Sequence, residues 1–353
     1  MVSKSDMLLI SSSRFGDHET PTGHPEQPAR ATVMTRVADR WRSSGGRVVE
    51  PTPINMVDLV RVHEAGYLAE IASTSGRRVQ LDADTYASPD TEIVARLAAG
   101  AAVAGVSYAL DQHSPAMAFV RPPGHHAERD RAMGFCLYNN AAIAAAHALS
   151  RGLERVVVID YDVHHGNGIQ SIFYDDPRVL YISPHQYPFY PGTGAASEIG
   201  NGAGTGFTFN IPLEAGAGDA DLDLMFRRLV LPVTMAFQPQ LVIVSAGFDA
   251  HVDDPLGGMR MTVDGYGTLT RLIYRFALEH CGGRFVIITE GGYHLPALEA
   301  CLEEMLVVGA KQDLDLQEIM PVPGATEVAK AALGPILLAQ TPYWPSISAS
   351  AAL

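Results

Sequence analysis

Short apolar runs alternate along this chain with longer segments in which hydrophobic residues recur every three to four positions. The short runs are rich in β-branched residues and predict buried strands. We expect strands at Met7–Ile10, Ala116–Val120, Arg155–Ile159, Val179–Ser183, Leu241–Ser245 and Phe285–Thr289, with a short additional strand at Thr208–Pro212. We expect helices at Pro28–Arg42, Asp90–Leu110, Asn139–Arg151, Asp219–Phe237, Val263–His280, Leu295–Val308 and Ala325–Gln340. This alternation predicts an α/β fold of three layers, α/β/α, in which helices cover both faces of a central, mostly parallel sheet.

The length and composition favour one domain. The 353 residues contain no obvious linker, and 47% of them are hydrophobic, which is ample for a sheet buried between helical layers. The glycine-rich stretch Gly192–Gly206 is too long for a simple connection, so we expect it to form part of the rim of a site. Residues Thr341–Leu353 are predicted to be a loosely held C-terminal tail.

The charge limits the classes of partner. The chain has 25 basic and 39 acidic residues, which gives a formal net charge of −14. General nucleic-acid binding requires a basic face, so we expect no direct nucleic-acid partner. An acidic surface attracts a cationic peptide or a polyamine. The sequence leaves the oligomeric state open.

The cysteines and the N-terminus indicate a reducing compartment. The three cysteines, Cys136, Cys281 and Cys301, form no CxxC pair, and an odd number does not suit a disulfide framework. The first residues lack the apolar stretch of a signal peptide, and no segment approaches 18 continuous apolar residues. We therefore expect a cytoplasmic protein with no membrane partner.

Acidic and imidazole side chains follow the predicted strand Arg155–Ile159. Residues 160–167 read DYDVHHGN and lie at the carboxyl end of that strand, where ligands bind in open α/β sheets. Asp162 and His164 are two positions apart, so on an extended segment they point to the same side and can bind one metal ion. Asp160 points the same way and can support them. Acidic residues at strand ends also cap helices, so this motif alone leaves both interpretations open.

A further candidate ligand follows the predicted strand Leu241–Ser245. Asp249 lies just past its end, and the alternative interpretation is that Asp249 caps the next helix. Two aspartate oxygens and one histidine nitrogen leave a coordination position open, as catalytic zinc sites do. Asp253 and Asp254 precede a Pro-Leu-Gly-Gly turn, and we expect them to do no more than shape that turn.

Two other segments supply groups for acid–base chemistry. His125 and His126 lie on a loop stiffened by proline and glycine, where both can face one small site as general base and general acid. The glycines of Glu290-Gly-Gly-Tyr293 permit a tight turn that projects Tyr293 over a strand end, where its phenol can donate to a developing oxyanion. Each motif by itself leaves an alternative open, namely a solvated histidine pair or a tyrosine packed in a loop.

In combination, these motifs resemble one family. The chain looks like a zinc-dependent histone deacetylase of the class II-like branch, which includes bacterial histone deacetylase-like amidohydrolases, in the arginase/deacetylase superfamily. The motifs follow the order of the family and read HPEQPAR at 24–30, RPPGHHA at 121–127, MGFCLYNN at 133–140, DYDVHHGNG at 160–168, PGTG at 191–194, SAGFDAHVDDPLG at 245–257 and EGGY at 290–293. Asn167, where class I members have Asp, and the spelling of the last two motifs point to the class II-like branch.

The resemblance implies one catalytic zinc ion, held by Asp162, His164 and Asp249. It places Tyr293 where its hydroxyl stabilises the tetrahedral oxyanion together with that ion. Arginase-type chemistry uses two manganese ions and a longer set of ligands. Only one Asp-x-His pair with Asp249 is evident here, so a single metal ion is expected.

The resemblance also assigns the two histidines. His126 is implied to be the main general base and later the acid for the leaving amine, with Asn167 facing its ring. His125, oriented by Asp160, is implied to support charge. A neutral Asn167 makes the imidazolium of His126 less stable than an aspartate would, so His126 stays neutral more easily.

A substrate channel is implied as well. Phe135 and Tyr190 are its two walls, next to Gly134, and Arg30 lines an internal cavity through which acetate leaves. The family usually has Phe where this chain has Tyr190, which adds a polar group. Ordinary core aromatics are the alternative explanation for Phe135 and Tyr190.

Two positions bear on the substrate. Ala87 occurs where class I relatives have an Asp that holds the substrate backbone, so we expect peptide anchoring to be weak or different. Leu256 lies where the polyamine-selective branch has a Glu that recognises a distant ammonium group. Because Leu cannot stabilise a buried second cation, we expect acyl-lysine to be preferred over acetylpolyamine. The alternative is that selectivity lies in the loop Gly192–Gly206.

The family binds monovalent cations, and all-oxygen surroundings suit a structural potassium ion. The residues matching the first cation site are Asp160, Asp162, His164, Ser183 and Pro184. Those matching a second site, through main-chain oxygens, are Phe173, Asp176, Val179 and Phe207.

The leading interpretation is a zinc-dependent amidohydrolase that removes acetyl or other acyl groups from lysine side chains of a peptide or protein. An acetylpolyamine amidohydrolase shares every catalytic motif and stays as the alternative. A catalytically silent acyl-lysine-binding module is disfavoured because every catalytic position is filled.

Overall fold

The centre of the protein is a sheet of eight strands, seen in a computed structural model that describes residues 7–310 and 319–349. Every pairing between neighbouring strands of this sheet is parallel. In spatial order the strands are Arg47–Val49, Leu8–Ile10, Ala116–Ala118, Phe285–Thr289, Leu241–Ala246, Val156–Asp160, Val179–Gln186 and Thr208–Leu213. The predicted parallel sheet is therefore confirmed, and the edge strand Arg47–Val49 was missed because it is short and partly exposed, with no apolar run to mark it.

Helices cover both faces of the sheet. The main ones are Pro28–Ser43, Ala65–Ser73, Thr91–Gln112, Asn140–Ser150, Asn167–Phe173, Asp219–Met225, Leu231–Phe237, Val263–His280, Leu295–Gly309 and Glu327–Gln340. Shorter turns of helix lie at Ser13–Asp17, Met56–Leu59, Gly202–Gly204 and Ser346–Ala349, and a separate hairpin pairs Val79–Gln80 with Tyr86–Ala87. Val157 and Ile159 pack into the core on one face of the sheet, while Val156 and Val158 pack into the core on the other. The three-layer α/β/α prediction is confirmed.

The predicted helix Asp219–Phe237 is interrupted by a π-helical turn at Phe226–Val230. In this turn the N–H of Leu231 donates to the carbonyl of Phe226, five residues earlier. Pro232 follows directly, and a proline inside a helix has no N–H to donate and needs room for its ring. The wider turn accommodates this proline without ending the helix.

The C-terminal segment is held against the body of the protein. The Nε1 of Trp344 donates to the carbonyl of Gly206 at 2.7 Å, and the indole packs edge-on against Phe207 at 5.6 Å. Ile347 is only 1% exposed. The prediction of a loose tail is wrong for residues 341–349, because these two side chains bury apolar surface; residues 350–353 lie outside the described residues.

Within the described ranges, one helix, Thr91–Gln112, is long and apolar enough to cross a membrane. It packs against the strand Ala116–Ala118 and the helix Asn140–Ser150. Its alanines at 98, 99, 101 and 102 are fully buried. Its burial and its contacts are those of a core helix.

His63 makes part of the stability dependent on pH. Its Nε2 accepts the N–H of Asn139 at 3.0 Å and its Nδ1 lies 2.8 Å from the carbonyl of Glu128, so the neutral ring carries its proton on Nδ1. Burial lowers the pKa of His63 from 6.5 to about 4, although the backbone contact with Glu128 opposes this. Between these values the unfolded chain binds a proton that the folded chain does not, so the free energy of unfolding falls as the pH drops through this window, by about 3 kcal/mol in all.

We expect His63→Gln to lose this part of the pH dependence. The measurement is the free energy of unfolding in urea at several pH values between 7 and 4, for wild type, His63→Gln and a control, His280→Gln, at the partly exposed end of a helix. In the control, the free energy of unfolding should change with pH as it does in wild type. The same pH dependence of the free energy of unfolding in His63→Gln and wild type would contradict the role assigned to His63.

Candidate metal centre and active site

Three strands that are adjacent in the sheet end at the same level, and the segments that follow them contribute residues to the site. Asp160 pairs with Ser245 across one boundary, and Ile288 pairs with Ser245 across the next. The segments after these strands carry the candidate ligands and the tyrosine, and the segment after the next strand in the sheet, Ala116–Ala118, carries the two histidines. The carboxyl ends of parallel strands therefore bring together residues that are more than a hundred positions apart in the chain.

Asp162, His164 and Asp249 converge at this edge. The Nδ1 of His164 lies 3.0 Å from Oδ1 of Asp162 and 3.2 Å from Oδ2 of Asp249. Oδ2 of Asp249 is buried and receives no well-aligned hydrogen bond within the described part of the chain. Nitrogen and oxygen ligands of a tetrahedral zinc ion lie about 3.3 Å apart, so this donor set fits one ion. The helix-capping alternative for Asp249 fails, because the next helix begins at Val263 and is capped by Thr262.

The backbone approaches these carboxylates closely at two glycines. A Cβ atom on Gly247 would lie 2.1 Å from Oδ2 of Asp162, and one on Gly291 would lie 2.2 Å from Oδ2 of Asp249. The N–H of Gly291 also donates to Oδ2 of Asp162 at 2.9 Å. Any side chain at either position would displace a candidate ligand.

His125 is held by acidic groups. Its Nδ1 lies 3.1 Å from Oδ2 of Asp160, which also accepts the hydroxyl of Tyr181 at 3.2 Å. Burial alone would lower the pKa of His125, but the charges of Asp162 and Asp160 outweigh it and raise that pKa to about 10. His125 is therefore suited to carry positive charge next to the reacting atoms.

His126 has the opposite character. Its Nδ1 lies 2.7 Å from Oδ1 of Asn167, whose amide nitrogen donates to Glu128 at 2.7 Å. The amide oxygen therefore faces the ring, the ring proton sits on Nδ1, and Nε2 is free to accept a proton. Burial lowers the pKa of His126 well below its ordinary value, and the neighbouring His125 lowers it further.

Glu290 fixes the loop that carries both histidines, a role that the sequence analysis did not assign. Its Oε2 accepts the N–H groups of Gly124 at 2.6 Å and His125 at 3.1 Å, and its Oε1 accepts the hydroxyl of Ser245 at 2.9 Å. Burial raises the pKa of Glu290 to about 7, against the lowering effect of His125. A glutamate at the end of a buried strand was visible in the sequence, but its partners on another loop were not.

Tyr293 is positioned by a carboxylate. Oδ2 of Asp254 accepts the N–H of Tyr293 at 2.6 Å and that of His294 at 3.1 Å, while Oδ1 accepts the N–H of Leu256 at 3.0 Å. The prediction that Asp254 only shapes a turn is therefore wrong, because a single buried side chain joins two loops. Burial raises the pKa of Tyr293 well above 10, so its hydroxyl remains a proton donor.

Arg30 lies beneath the tyrosine ring and is fully buried. Its guanidinium carbon is 5.1 Å from the centre of the Tyr293 ring, and it donates to the carbonyl of Gly292 at 2.8 Å and to Glu26 at 3.0 Å. Glu26 also accepts from Arg121 at 2.8 Å. The HPEQPAR motif therefore braces the Tyr293 loop, whereas a role for Arg30 in acetate release stays a prediction.

The two predicted channel walls flank the catalytic groups. The ring of Phe135 lies 5.8 Å from that of Tyr293, and the ring of Tyr190 lies 5.2 Å from that of His126, both edge-on. Tyr190 is 39% exposed, which does not suit a core aromatic.

Two further residues brace the histidine rings. Phe189, which the sequence analysis passed over, stacks on His164 with ring centres 5.4 Å apart. Gly134 has a positive φ of 57°, and a Cβ atom there would lie 2.4 Å from Cδ2 of His126. The general base therefore sits directly against the backbone.

Acidic residues lie near the expected channel mouth. Ala87 is 3% exposed in the small hairpin, so it does not line the rim. Burial raises the pKa of the Asp84 carboxyl group and the neighbouring Asp82 raises it further, while the backbone N–H of Gly134 opposes this rise. Burial raises the pKa of Tyr190, and the charges of Asp84 and Asp82 add to this effect. The loop Gly192–Gly206 contributes Thr193, 2.8 Å from His165, while its far end contacts Trp344.

The residues proposed for monovalent cations fall into two groups, one at the carboxyl end of the strand Val156–Asp160 and one around the start of the strand Val179–Gln186. The first group, with Ser183 and Pro184, lies where the strands Val156–Asp160 and Val179–Gln186 run side by side. In the second group the carbonyl of Phe173 accepts the N–H of Asp176, and the carbonyl of Asp176 accepts that of Val179. The carbonyl of Phe207 accepts the N–H of Tyr181. Each carbonyl oxygen keeps a second lone pair.

Several known proteins are similar to this chain. Residues 24–308 match the histone deacetylase domain. A histone deacetylase-like amidohydrolase of Pseudomonas aeruginosa is 44% identical over 276 residues, which is 77% of this chain and 73% of the relative. A human protein, polyamine deacetylase HDAC10, is 42% identical over 301 residues, which is 82% of this chain and 43% of the relative. The crystal structure of the HDA15 HD domain superposes with a TM-score of 0.89 at 35% identity and covers 98% of both chains.

Proposed function

We propose, since this chain belongs to the histone deacetylase family, that its deacetylase activity removes acetyl or other acyl groups from lysine side chains with zinc as the metal ion. One observation carries the proposal. Asp162, His164 and Asp249 lie close enough together to hold one metal ion, and a neutral His126 and a protonated Tyr293 lie on the segments that follow two neighbouring strands. This arrangement suits hydrolysis of an amide.

Zinc suits the donor set. One imidazole nitrogen that lies 3.0 Å and 3.2 Å from two carboxylate oxygens leaves room for further ligands on an ion, which is the pattern of catalytic zinc. Zinc bound there would polarise the amide carbonyl and lower the pKa of a water molecule.

The side chains account for the proton transfers. Nε2 of His126 takes the proton of the attacking water, and the hydrogen bond from its Nδ1 to Asn167 holds the ring in the required tautomer. His126 then returns the proton to the leaving amine. His125, paired with Asp160, keeps a positive charge close to the site, and the hydroxyl of Tyr293 donates to the oxyanion.

The channel residues support a lysine side chain as the substrate. Phe135 and Tyr190 offer ring surfaces to a methylene chain, and Leu256 is half-buried on the loop held by Asp254. An apolar group there cannot pair with a second ammonium.

Acetylpolyamine hydrolysis is the second candidate. Asp82 and Asp84 place acidic groups near Tyr190, where they can attract a cationic substrate. One relative is named a polyamine deacetylase.

We expect wild type to favour an acetyl-lysine peptide over acetylspermidine, and Leu256→Glu to shift the ratio of kcat/KM values toward acetylspermidine by roughly 10- to 100-fold. A hydrogen bond between charged groups contributes about 1.5–3 kcal/mol, which sets this range. The experiment compares both substrates in wild type, Leu256→Glu and Leu256→Gln, where Gln keeps the size and removes the charge. If wild type already prefers acetylspermidine, the second candidate replaces the first.

We also propose a structural potassium ion and a cytoplasmic location. The carbonyl-rich turn at Phe173, Asp176 and Val179 supports the first, because potassium favours oxygen ligands. Three buried cysteines without disulfides support the second.

A further inference from the structure

A second group of metal-ligating side chains lies beside the active site. One ring nitrogen each of His251 and His294, and one carboxylate oxygen of Asp253, lie within 4.8 Å of one another. None of these residues belongs to the first cluster. The group lies near the surface, since the side chain of Asp253 is 61% exposed while that of His251 is 9% exposed.

Both histidines present nitrogens that can bind a cation. Nδ1 of His294 is buried and has no hydrogen-bond partner within residues 7–310 and 319–349. Nδ1 of His251 accepts the N–H of Asp253 at 3.1 Å, so a cation bound at this nitrogen would displace that N–H, and the nitrogen lies 3.8 Å from the carboxylate of Asp253. A buried nitrogen without a partner is unfavourable, and a cation would satisfy it.

We propose that His251, Asp253 and His294 form a second site for a divalent transition-metal ion, which we assign as zinc. Imidazole nitrogens select zinc and its neighbours over calcium or magnesium, which prefer oxygen ligands. Zinc requires its ligand atoms about 3.3 Å apart, and the exposed side chain of Asp253 is free to close the remaining distance. Three protein ligands leave the other positions to water.

The site joins two loops that matter for the active site. His251 and Asp253 lie on the segment after Asp249, and His294 directly follows Tyr293. An ion bound there links these segments at the same place where Asp254 already holds them. An ion that binds to the folded protein and not to the unfolded chain raises the melting temperature.

The test measures zinc bound per chain by equilibrium dialysis and elemental analysis of the zinc-loaded enzyme. Wild type and the control His280→Gln should each bind one ion more than His294→Gln and Asp253→Asn. Asp253 is exposed, so Asp253→Asn keeps the fold even if His294→Gln does not. The test depends on the difference in bound zinc between the proteins and not on the total amount of zinc. It therefore gives an answer even if the catalytic site does not bind zinc.

Melting curves give an independent readout. Added zinc should raise the melting temperature of wild type and of His280→Gln, and should do so much less in Asp253→Asn and His294→Gln. Equal zinc binding and equal shifts in all four proteins would overturn the proposal.

Discussion

Tyr293→Phe is expected to lower kcat by roughly 100- to 1000-fold and to leave KM nearly unchanged, because the lost hydroxyl acts mainly on the oxyanion of the transition state. The fold should survive, since the N–H of Tyr293 stays bound to Asp254 and its ring can still stack over Arg30. Its raised pKa means that the hydroxyl keeps its proton and can donate a hydrogen bond across the whole working range of pH.

The measurement is steady-state kinetics on an acetyl-lysine peptide, together with the metal content of the purified variant. Tyr190→Phe is the matched control, because it removes the same hydroxyl from a partly exposed channel wall. We expect the control to change kcat far less. An unchanged kcat in Tyr293→Phe would show that its hydroxyl does not reach the oxyanion.

Loss of the metal ion is expected to reduce hydrolysis by at least about 1000-fold, since no side chain in the site can replace a Lewis acid. Asp249→Ala should cause this loss. It removes one of three ligands and leaves Asp162 and His164 too few to hold the ion tightly. Chelation of wild type should have the same effect.

Metal content and activity are measured together, before and after zinc is returned. Zinc should restore the chelated wild type and should not restore Asp249→Ala. Asp39→Ala, which removes an exposed carboxylate paired with Arg42, is the control and should match wild type. Full activity in a protein shown to be free of metal would refute the metal-dependent mechanism.

The sequence predicted the sheet and the candidate ligands because both depend on local patterns. An apolar run such as Leu241–Ala246 marks a buried strand by itself, and Asp249 is recognisable as the residue just past its end. Parallel pairing then brings the strand ends together without any further information.

What the sequence did not predict depends on contacts between distant segments. Glu290 binds a loop that precedes it by more than 160 residues, and Asp254 binds the N–H of Tyr293, so neither role leaves a local signal. Trp344 was assigned to a loosely held tail because its acceptor, the carbonyl of Gly206, lies on another loop. Such roles become visible only when the segments are placed in space.

The residues at positions 247 and 291 offer a way to distinguish active enzymes from relatives that have lost activity. Each glycine is required only while a carboxylate occupies the space where its Cβ would stand. A lineage that has lost Asp162 or Asp249 is released from that steric restriction, so alanine or larger residues can accumulate at both positions. A relative with side chains at both glycine positions is therefore expected to bind acylated ligands without turning them over, which a single assay on such a protein would check.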